Sequence, residues 1–260
     1  AQAPVDAISI TGSTRAGKRV AEIASQNLHK FILELGGSDP FVVLKDADVD
    51  KAAEIGVASR FLNNGQSCIA AKRFIVAEEV LEEFIKKFQE HVEKQIVGDP
   101  LDPKTTIRSL VRGKSREVIA KQISDSTGVV AKILTGGDAP SGTGFFFNPT
   151  VLTHVQPEMS VSREEVFGPV APIISVKNPI QAIKIANDTE FGLGSSIWSE
   201  KYAIENNLAK DIDAGMVYIN SMVISDPRVP FGGVKNSGIG RELSDYGIKE
   251  FVNVKSVITN

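Results

Sequence analysis

The sequence is short of the residues that most often mark a site. It has one cysteine, Cys68, and three histidines, His29, His91 and His154. A single cysteine excludes any internal disulfide and fits a reducing cytoplasm, the expected location. One cysteine and dispersed histidines, with no His-Glu-x-x-His, give no metal site. No run approaches the ~18 uninterrupted apolar residues of a spanning helix, and the longest, such as Val170 to Val176, are strand-sized. A membrane is therefore not an expected partner, and no secretory signal opens the chain. Neither charge dominates: 29 Lys and Arg against 32 Asp and Glu leave a formal net charge of −3. Basic residues are scattered, and Lys86-Lys87 reads as solvated helix surface, so nucleic acid is not expected either.

What is present is ordinary globular composition, 42% hydrophobic over 260 residues, enough for one large domain or two modest ones. The chain begins at Ala1, directly in structured-looking sequence, and reads as a piece of something longer. Strand-like apolar runs alternate with amphipathic segments, the pattern of an α/β fold. Strands are expected at Ala7 to Thr11, Phe41 to Leu44, Arg73 to Ala77, Val129 to Leu134, Val170 to Val176, Ser195 to Trp198 and Met216 to Asn220, with a terminal strand from Phe251 to Ile258. A helix after Gly12-Ser13-Thr14 places Val20, Ile23, Ala24, Leu28 and Phe31 on one face. Further helices are expected over Asp46 to Leu62, Val80 to Ile96, Ser115 to Ser124, from Pro179 to about Asp188 behind an Asn178 cap, and Tyr202 to Ile212. Ser225 to Gly240 is a Gly-, Pro- and charge-rich loop of a length that tends to be functional.

Cys68 lies in Phe61-Leu62-Asn63-Asn64-Gly65-Gln66-Ser67-Cys68, where a glycine turn can aim backbone N–H groups at one point. Such a turn can hold a thiolate and an oxyanion, though a lone cysteine is more often a buried structural residue. A thiol nucleophile needs a base, and the histidines, two expected on helices and one near a strand end, sit in no recognisable setting. A carboxylate in apolar surroundings can serve instead. Glu34, within Phe31-Ile32-Leu33-Glu34-Leu35-Gly36-Gly37, is that candidate, and a helix-terminal glutamate facing water is the plain alternative. Gly12-Ser13-Thr14-Arg15-Ala16-Gly17 follows a strand and opens a helix, as a phosphate site does, or as ordinary capping does.

Together these segments resemble the aldehyde dehydrogenase superfamily. The likeness runs through Thr11-Gly12-Ser13-Thr14 to Gly17, Glu34-Leu35-Gly36-Gly37, and Phe61, Asn63, Gly65, Gln66 and Cys68. It continues in Glu164-Glu165-Val166-Phe167-Gly168-Pro169 and in Pro230 to Lys235 with Ser237 to Glu242. Within the superfamily it leans to the succinate-semialdehyde dehydrogenase branch, through Leu35 to Phe41, Ala70 to Phe74 and Ser225 to Arg228. Many enzymes of that specificity carry an arginine where this chain has Leu62, to grip the substrate carboxylate. Ser225 and Arg228 are the candidate substrate contacts in its place.

The resemblance implies an open, twisted, parallel-rich sheet with flanking helices, most of the N-terminal Rossmann-like domain being absent. Residues 1–33 would end a cofactor-binding domain, 34–224 form the catalytic domain, and 225–260 form a C-terminal loop and oligomerisation strand. The implied cofactor is NAD or NADP, with Gly12, Ser13 and Gly17 at the pyrophosphate, Glu165 on the nicotinamide ribose and Phe167 beside the nicotinamide. Cys68 would attack an aldehyde to form a thiohemiacetal and then a thioester, and Glu34 would activate the water that releases the acid. The implied partners are the aldehyde, a missing N-terminal half or partner chain, and further copies of the chain. Three readings stay open: a dehydrogenase fragment or half of a split enzyme, an inactive relic or interaction module, and a residual esterase.

Overall fold

The computed structural model describes residues 4–260, so residues 1–3 of the expected 1–33 segment lie outside it. The chain runs β1 (Ala7–Thr11), α1 (Thr14–Gln26), β2 (Lys30–Glu34), β3 (Asp39–Val43), α2 (Val49–Phe61), β4 (Ala71–Ala77), α3 (Leu81–Val92) and α4 (Gly113–Thr127). It continues through β5 (Lys132–Thr135), β6 (Thr150–Thr153), α5 (Ser160–Arg163), β7 (Val170–Val176), α6 (Pro179–Asn187), β8 (Gly194–Trp198) and α7 (Tyr202–Glu205). It closes with β9 (Met216–Ile219), β10 (Gly238–Ile239) and α8 (Ser244–Glu250).

The strands form two sheets. The larger has the order β5-β6-β7-β4-β3-β8-β9 and is parallel except for the antiparallel β5–β6 pair. The smaller has the order β1-β2-β10, with β1 parallel and β10 antiparallel to β2. Parallel strands are covered on both faces, which is why β3 and β4 are buried at every residue. Period-two alternation then divides their side chains between two cores. Phe41, Val43, Phe74 and Val76 pack with Phe84 and Phe88 of α3 and with Trp198. Val42, Ile75, Ile174 and Ile197 pack on the other face against Ile119 and Ile123 of α4 and Ala182 of α6. Phe74 meets Phe88 edge-on at 4.8 Å, and Phe41 stacks on Trp198 at 5.5 Å. Each such aromatic contributes roughly 1.5–3 kcal/mol by burial.

Several sequence expectations are corrected here. Leu28 and Phe31 do not continue the face of α1, because the helix stops at Gln26 and Leu28 turns at φ 54° with 93% exposure. Phe31 belongs instead to β2, a strand too short for its period to show beside a helix, and His29 falls in the turn between them. The helix expected over Tyr202 to Ile212 breaks at Asn207, left-handed at φ 53°, into α7 and a short 3-10 turn. Phe251 to Ile258 forms no strand; Val254 and Ile258 are 94% and 88% exposed. An alternating pattern makes a strand only beside a neighbour, and this chain presents none there. The Ser225 to Gly240 loop does contain structure, since β10 within it pairs with Leu33 and Glu34 of β2. Among the described residues no helix is long and apolar enough to cross a membrane.

The two sheets aim opposite ends at one place. Gly12 follows the carboxyl end of β1, and Glu34 ends β2. Gly36-Gly37, Cys68 and Glu165–Gly168 lie just before the amino ends of β3, β4 and β7.

Candidate active site

Between those strand ends lies a cavity of about 640 Å³. Its wall brings together four stretches distant in sequence: Thr11 to Ser13, Leu35-Gly36, Gln66 to Cys68, and Glu165 with Phe167. A fifth wall, which sequence analysis did not anticipate, comes from the start of α4, including Arg112, Lys114 and Ser115.

The turn before Cys68 is built by three consecutive left-handed residues, Asn63, Asn64 and Gly65 at φ 50°, 60° and 73°. Asparagine tolerates that region and glycine occupies it without penalty, so Asn-Asn-Gly ends α2 abruptly and swings the chain toward β4. The Asn64 side-chain oxygen accepts from Arg108 N–H at 2.7 Å, and that of Gln66 accepts from Val111 N–H at 3.0 Å. Arg60, fully buried, donates to the carbonyls of Gly65, Ala71, Val166 and Gly168. One guanidinium therefore clamps the turn before Cys68 to the Glu165–Gly168 segment. A Cβ at Gly65 would lie 2.2 Å from the Gly168 carbonyl oxygen, on top of the cost of its positive φ. Gly65→Ala is expected to destabilise the chain by at least about 2 kcal/mol, lowering the thermal midpoint by roughly 5 °C or more. Calorimetry and the rate of Cys68 alkylation check this, and both should fall together; a midpoint within a degree of wild type removes the argument.

Cys68 is half-buried, against the apolar cluster of Leu193, Met216 and Val223 with Tyr218 and Phe231. Burial pushes its thiol up, the Lys72 ammonium pulls it back, and Asp39 and Glu165 raise it further; the Ile69 N–H lowers it. Beneath the turn, Lys72 is fully buried and donates to the carbonyls of Ser67 at 2.9 Å, Cys68 at 2.8 Å and Ala70 at 3.3 Å. Gly37 is fitted closely beside it, since a Cβ there would meet the Cys68 carbonyl oxygen at 2.6 Å.

Glu34 is 2% exposed at the end of β2, not on a water-facing helix terminus. Neither carboxyl oxygen has a hydrogen-bond partner in the protein. Burial pushes it up to about 8, Glu242 adds to the rise and Arg241 opposes it. Its Oε1 lies against Gly232 of the C-terminal loop. Glu34 thus sits behind the cavity wall, of which its neighbours Leu35 and Gly36 form part.

The remaining expected residues divide. Gly12 and Ser13 line the cavity, and Ser13 Oγ caps α1 by accepting from Ala16 N–H at 3.3 Å. Gly17 does not line it; it is buried one turn into α1, packed on the Leu35 side chain. Glu165 does line it, accepting from Gly37 N–H at 3.0 Å, and Phe167 is 40% exposed within it. The free N–H groups of a helix start, a carboxylate acceptor and a partly exposed ring in one cavity fit the pyrophosphate-to-nicotinamide end of a dinucleotide. Ser225 and Arg228 are not among the residues that line this cavity. Ser225 is exposed, and the guanidinium of Arg228, 85% exposed, forks onto Asp226 in the same turn. Leu62 is 44% exposed.

The chief residues missed by sequence are the buried cations Arg60, Lys72 and Arg73. Arg73 binds the carbonyls of Ser38, Ile185 and Ala186. Their signal was available: positive charge inside otherwise apolar or small-residue runs, as in Ala70-Ala71-Lys72-Arg73-Phe74.

The model of the aldehyde dehydrogenase family matches residues 1–257. Over 253 residues the chain is 47% identical to succinate-semialdehyde dehydrogenase [NADP(+)] 1 of Mycobacterium ulcerans (strain Agy99), covering 97% of this chain and 55% of that protein. The protein of the same name from Mycobacterium tuberculosis (strain ATCC 25618 / H37Rv) is 46% identical, with the same coverage. Among solved structures, an E. coli NADP dependent enzyme superposes with a TM-score of 0.94 at 40% identity, covering 96% of this chain and 52% of that one. Succinate-semialdehyde dehydrogenase from Burkholderia pseudomallei superposes with a TM-score of 0.92 at 40% identity, covering 95% and 51%. The chain spans about half the length of the proteins it matches.

Proposed function

The chain belongs to the aldehyde dehydrogenase family, and we propose that it carries the nucleophile, the base and the nicotinamide end of a site that oxidises an aldehyde with NAD or NADP. The carrying observation is the single cavity that joins Cys68, the Glu165–Phe167 segment and the start of α1. The names and 46–47% identity of the mycobacterial relatives support succinate semialdehyde as substrate.

In this reading the Cys68 thiolate adds to the aldehyde carbon, forming a C–S bond, and the new oxyanion faces the Cys68 N–H. Bound nicotinamide supplies the hydride acceptor for oxidation of that adduct to a Cys68 thioester. Glu34 takes a proton from water, the hydroxide adds to the thioester carbon, and the C–S bond breaks to release the acid and return the thiolate. Since Glu34 lies behind the wall, it acts through a bridging water or after rotation of its side chain. Glu165 would hold the nicotinamide ribose, and Ser13 with the α1 N-terminus the pyrophosphate.

The half-length match supports the companion reading that the chain alone turns over weakly or not at all, retaining at most slow ester hydrolysis by Cys68 and Glu34. Among the described residues β1 pairs only with β2, leaving its other edge for an added strand. The exposed 251–258 segment offers a second place for another copy of the chain to pair.

The test mixes this chain with the segment of the M. ulcerans relative that it does not cover. NADP reduction with succinate semialdehyde and with an aliphatic aldehyde is followed beside p-nitrophenyl acetate hydrolysis. Reduction should rise at least ~10²-fold on mixing, the scale set by a single oxyanion donor, and light scattering should show an assembly larger than one copy. Full turnover by the chain alone would sink the companion reading; none in the mixture, with ester hydrolysis intact, would sink the dehydrogenase reading.

A further inference from the structure

The Lys72 ammonium is buried without a bonded carboxylate: its nearest, Glu165 Oε1, is 3.8 Å away, and its close contacts are the carbonyls of Ser67, Cys68 and Ala70. A buried charge costs several kcal/mol unless it is well solvated by its surroundings. Carbonyl dipoles do that here, and the reverse also holds: the ammonium fixes where those carbonyls point. In a planar trans peptide the C=O and the following N–H point in opposite directions. Holding the Ser67 carbonyl on the core side therefore turns the Cys68 N–H away from the core. Holding the Cys68 carbonyl does the same for the Ile69 N–H, a donor that lowers the Cys68 thiol.

We propose that Lys72 is the positioning residue of the nucleophile turn, setting the Cys68 and Ile69 N–H groups toward the sulfur and toward the oxygen that forms beside it. The inference rests on Cys68 being the nucleophile of the reading above. Lys72 touches no substrate atom; it acts through the two peptides it orients and through its own charge. The groups facing it are Asp39, Glu165 and Cys68, which favour its charged form, and Arg60, which opposes it. Burial outweighs them and pushes Lys72 down to about 8, so its charge is present at neutral pH and lost above that.

The experiment alkylates Cys68, the chain's one thiol, with iodoacetamide across pH 6 to 10 in wild type, Lys72→Met and Lys72→Gln. No cofactor or turnover is needed. Lys72→Met is expected to slow alkylation at pH 7 at least tenfold, with the gap to wild type narrowing above about pH 8 as wild-type Lys72 loses its charge. Lys72→Gln keeps a donor without the charge and should recover part of the rate. A merely structural lysine would shift the thermal midpoint and leave the pH 7 alkylation rate of the folded protein and its dependence on pH where they were, and that result overturns the proposal. Should both variants fail to fold, the wild-type carbonyl carbon shifts of Ser67 and Cys68 are followed by NMR from pH 7 to 10. They should move together as Lys72 loses its proton; shifts that stay still also overturn the proposal. Failure of the nucleophile reading shows elsewhere, as NADP reduction that survives Cys68→Ala in the complemented assembly.

Discussion

Cys68→Ala should reduce NADP reduction by the complemented assembly to background, a loss of at least ~10³-fold, because no other group can form the covalent adduct. It is the chain's one cysteine, so iodoacetamide incorporation should fall from one equivalent to none in the same variant. Stability should scarcely change, since the side chain is only half-buried against Leu193, Met216 and Val223, and losing one sulfur from a partly open site costs on the order of 1 kcal/mol. Cys68→Ser should be nearly as inactive. An alcohol in place of a thiol ionises far more weakly, and the field of Lys72 that favours a thiolate cannot make up the difference. Ester hydrolysis that survived both substitutions would show that the cavity hydrolyses without Cys68 and would remove it from the mechanism.

How much of this was legible in the sequence follows from which forces set each element. Asn178-Pro179 was read correctly because capping is local: Asn178 Oδ1 accepts from Gln181 N–H at 2.9 Å, as that dipeptide requires. Val170 to Val176 was read to the residue because a central parallel strand is apolar at every position but one, the exposed Ser175. β2 and β6 were missed because five and four residues carry too little period, and only the neighbouring strands make them strands. The site was legible as motifs but not as a place. Cys68, Glu165, Phe167, Gly12 and Ser13 share one cavity wall as expected, yet nothing in sequence said that Glu34 would sit behind it. Arg228 was read as a candidate substrate contact, and sequence did not show that its guanidinium pairs with Asp226, two residues earlier. Lys72 and Arg60 were missed for a different reason: a charge among small or apolar residues marked them, but nothing marked what they bind. Their partners are carbonyls, and a backbone acceptor leaves no mark on the residue that provides it.

Glu34→Gln should separate the two halves of the reaction. The amide cannot take a proton from water, so release of the acid should slow by ~10²–10⁴-fold, while attack by Cys68 and the first oxidation proceed. Rapid mixing of the complemented variant should therefore show about one NADPH per site in a burst, then a stall, with the acyl group recoverable on Cys68. Steady turnover without a stall would mean that another base serves. In the native protein the same step should depend on pH with a definite sign. Glu34 is pushed up to about 8, chiefly by burial, and only its ionised form is a base; at pH 7 roughly a tenth is ionised, so acid release should rise nearly tenfold per pH unit and level off above about 8. The same displacement acts on stability in the opposite sense. Between the ordinary value of 4.5 and about 8, the folded chain holds a proton that the unfolded chain has released. Stability is then fully present below pH 4.5 and declines as pH rises toward about 8. Glu34→Gln has no proton to lose, so its denaturation midpoint should be flatter over that range and higher than wild type at pH 8. Parallel pH curves for the two proteins would mean that Glu34 is solvated in the folded state, and that its burial at the end of β2 does not set its basicity.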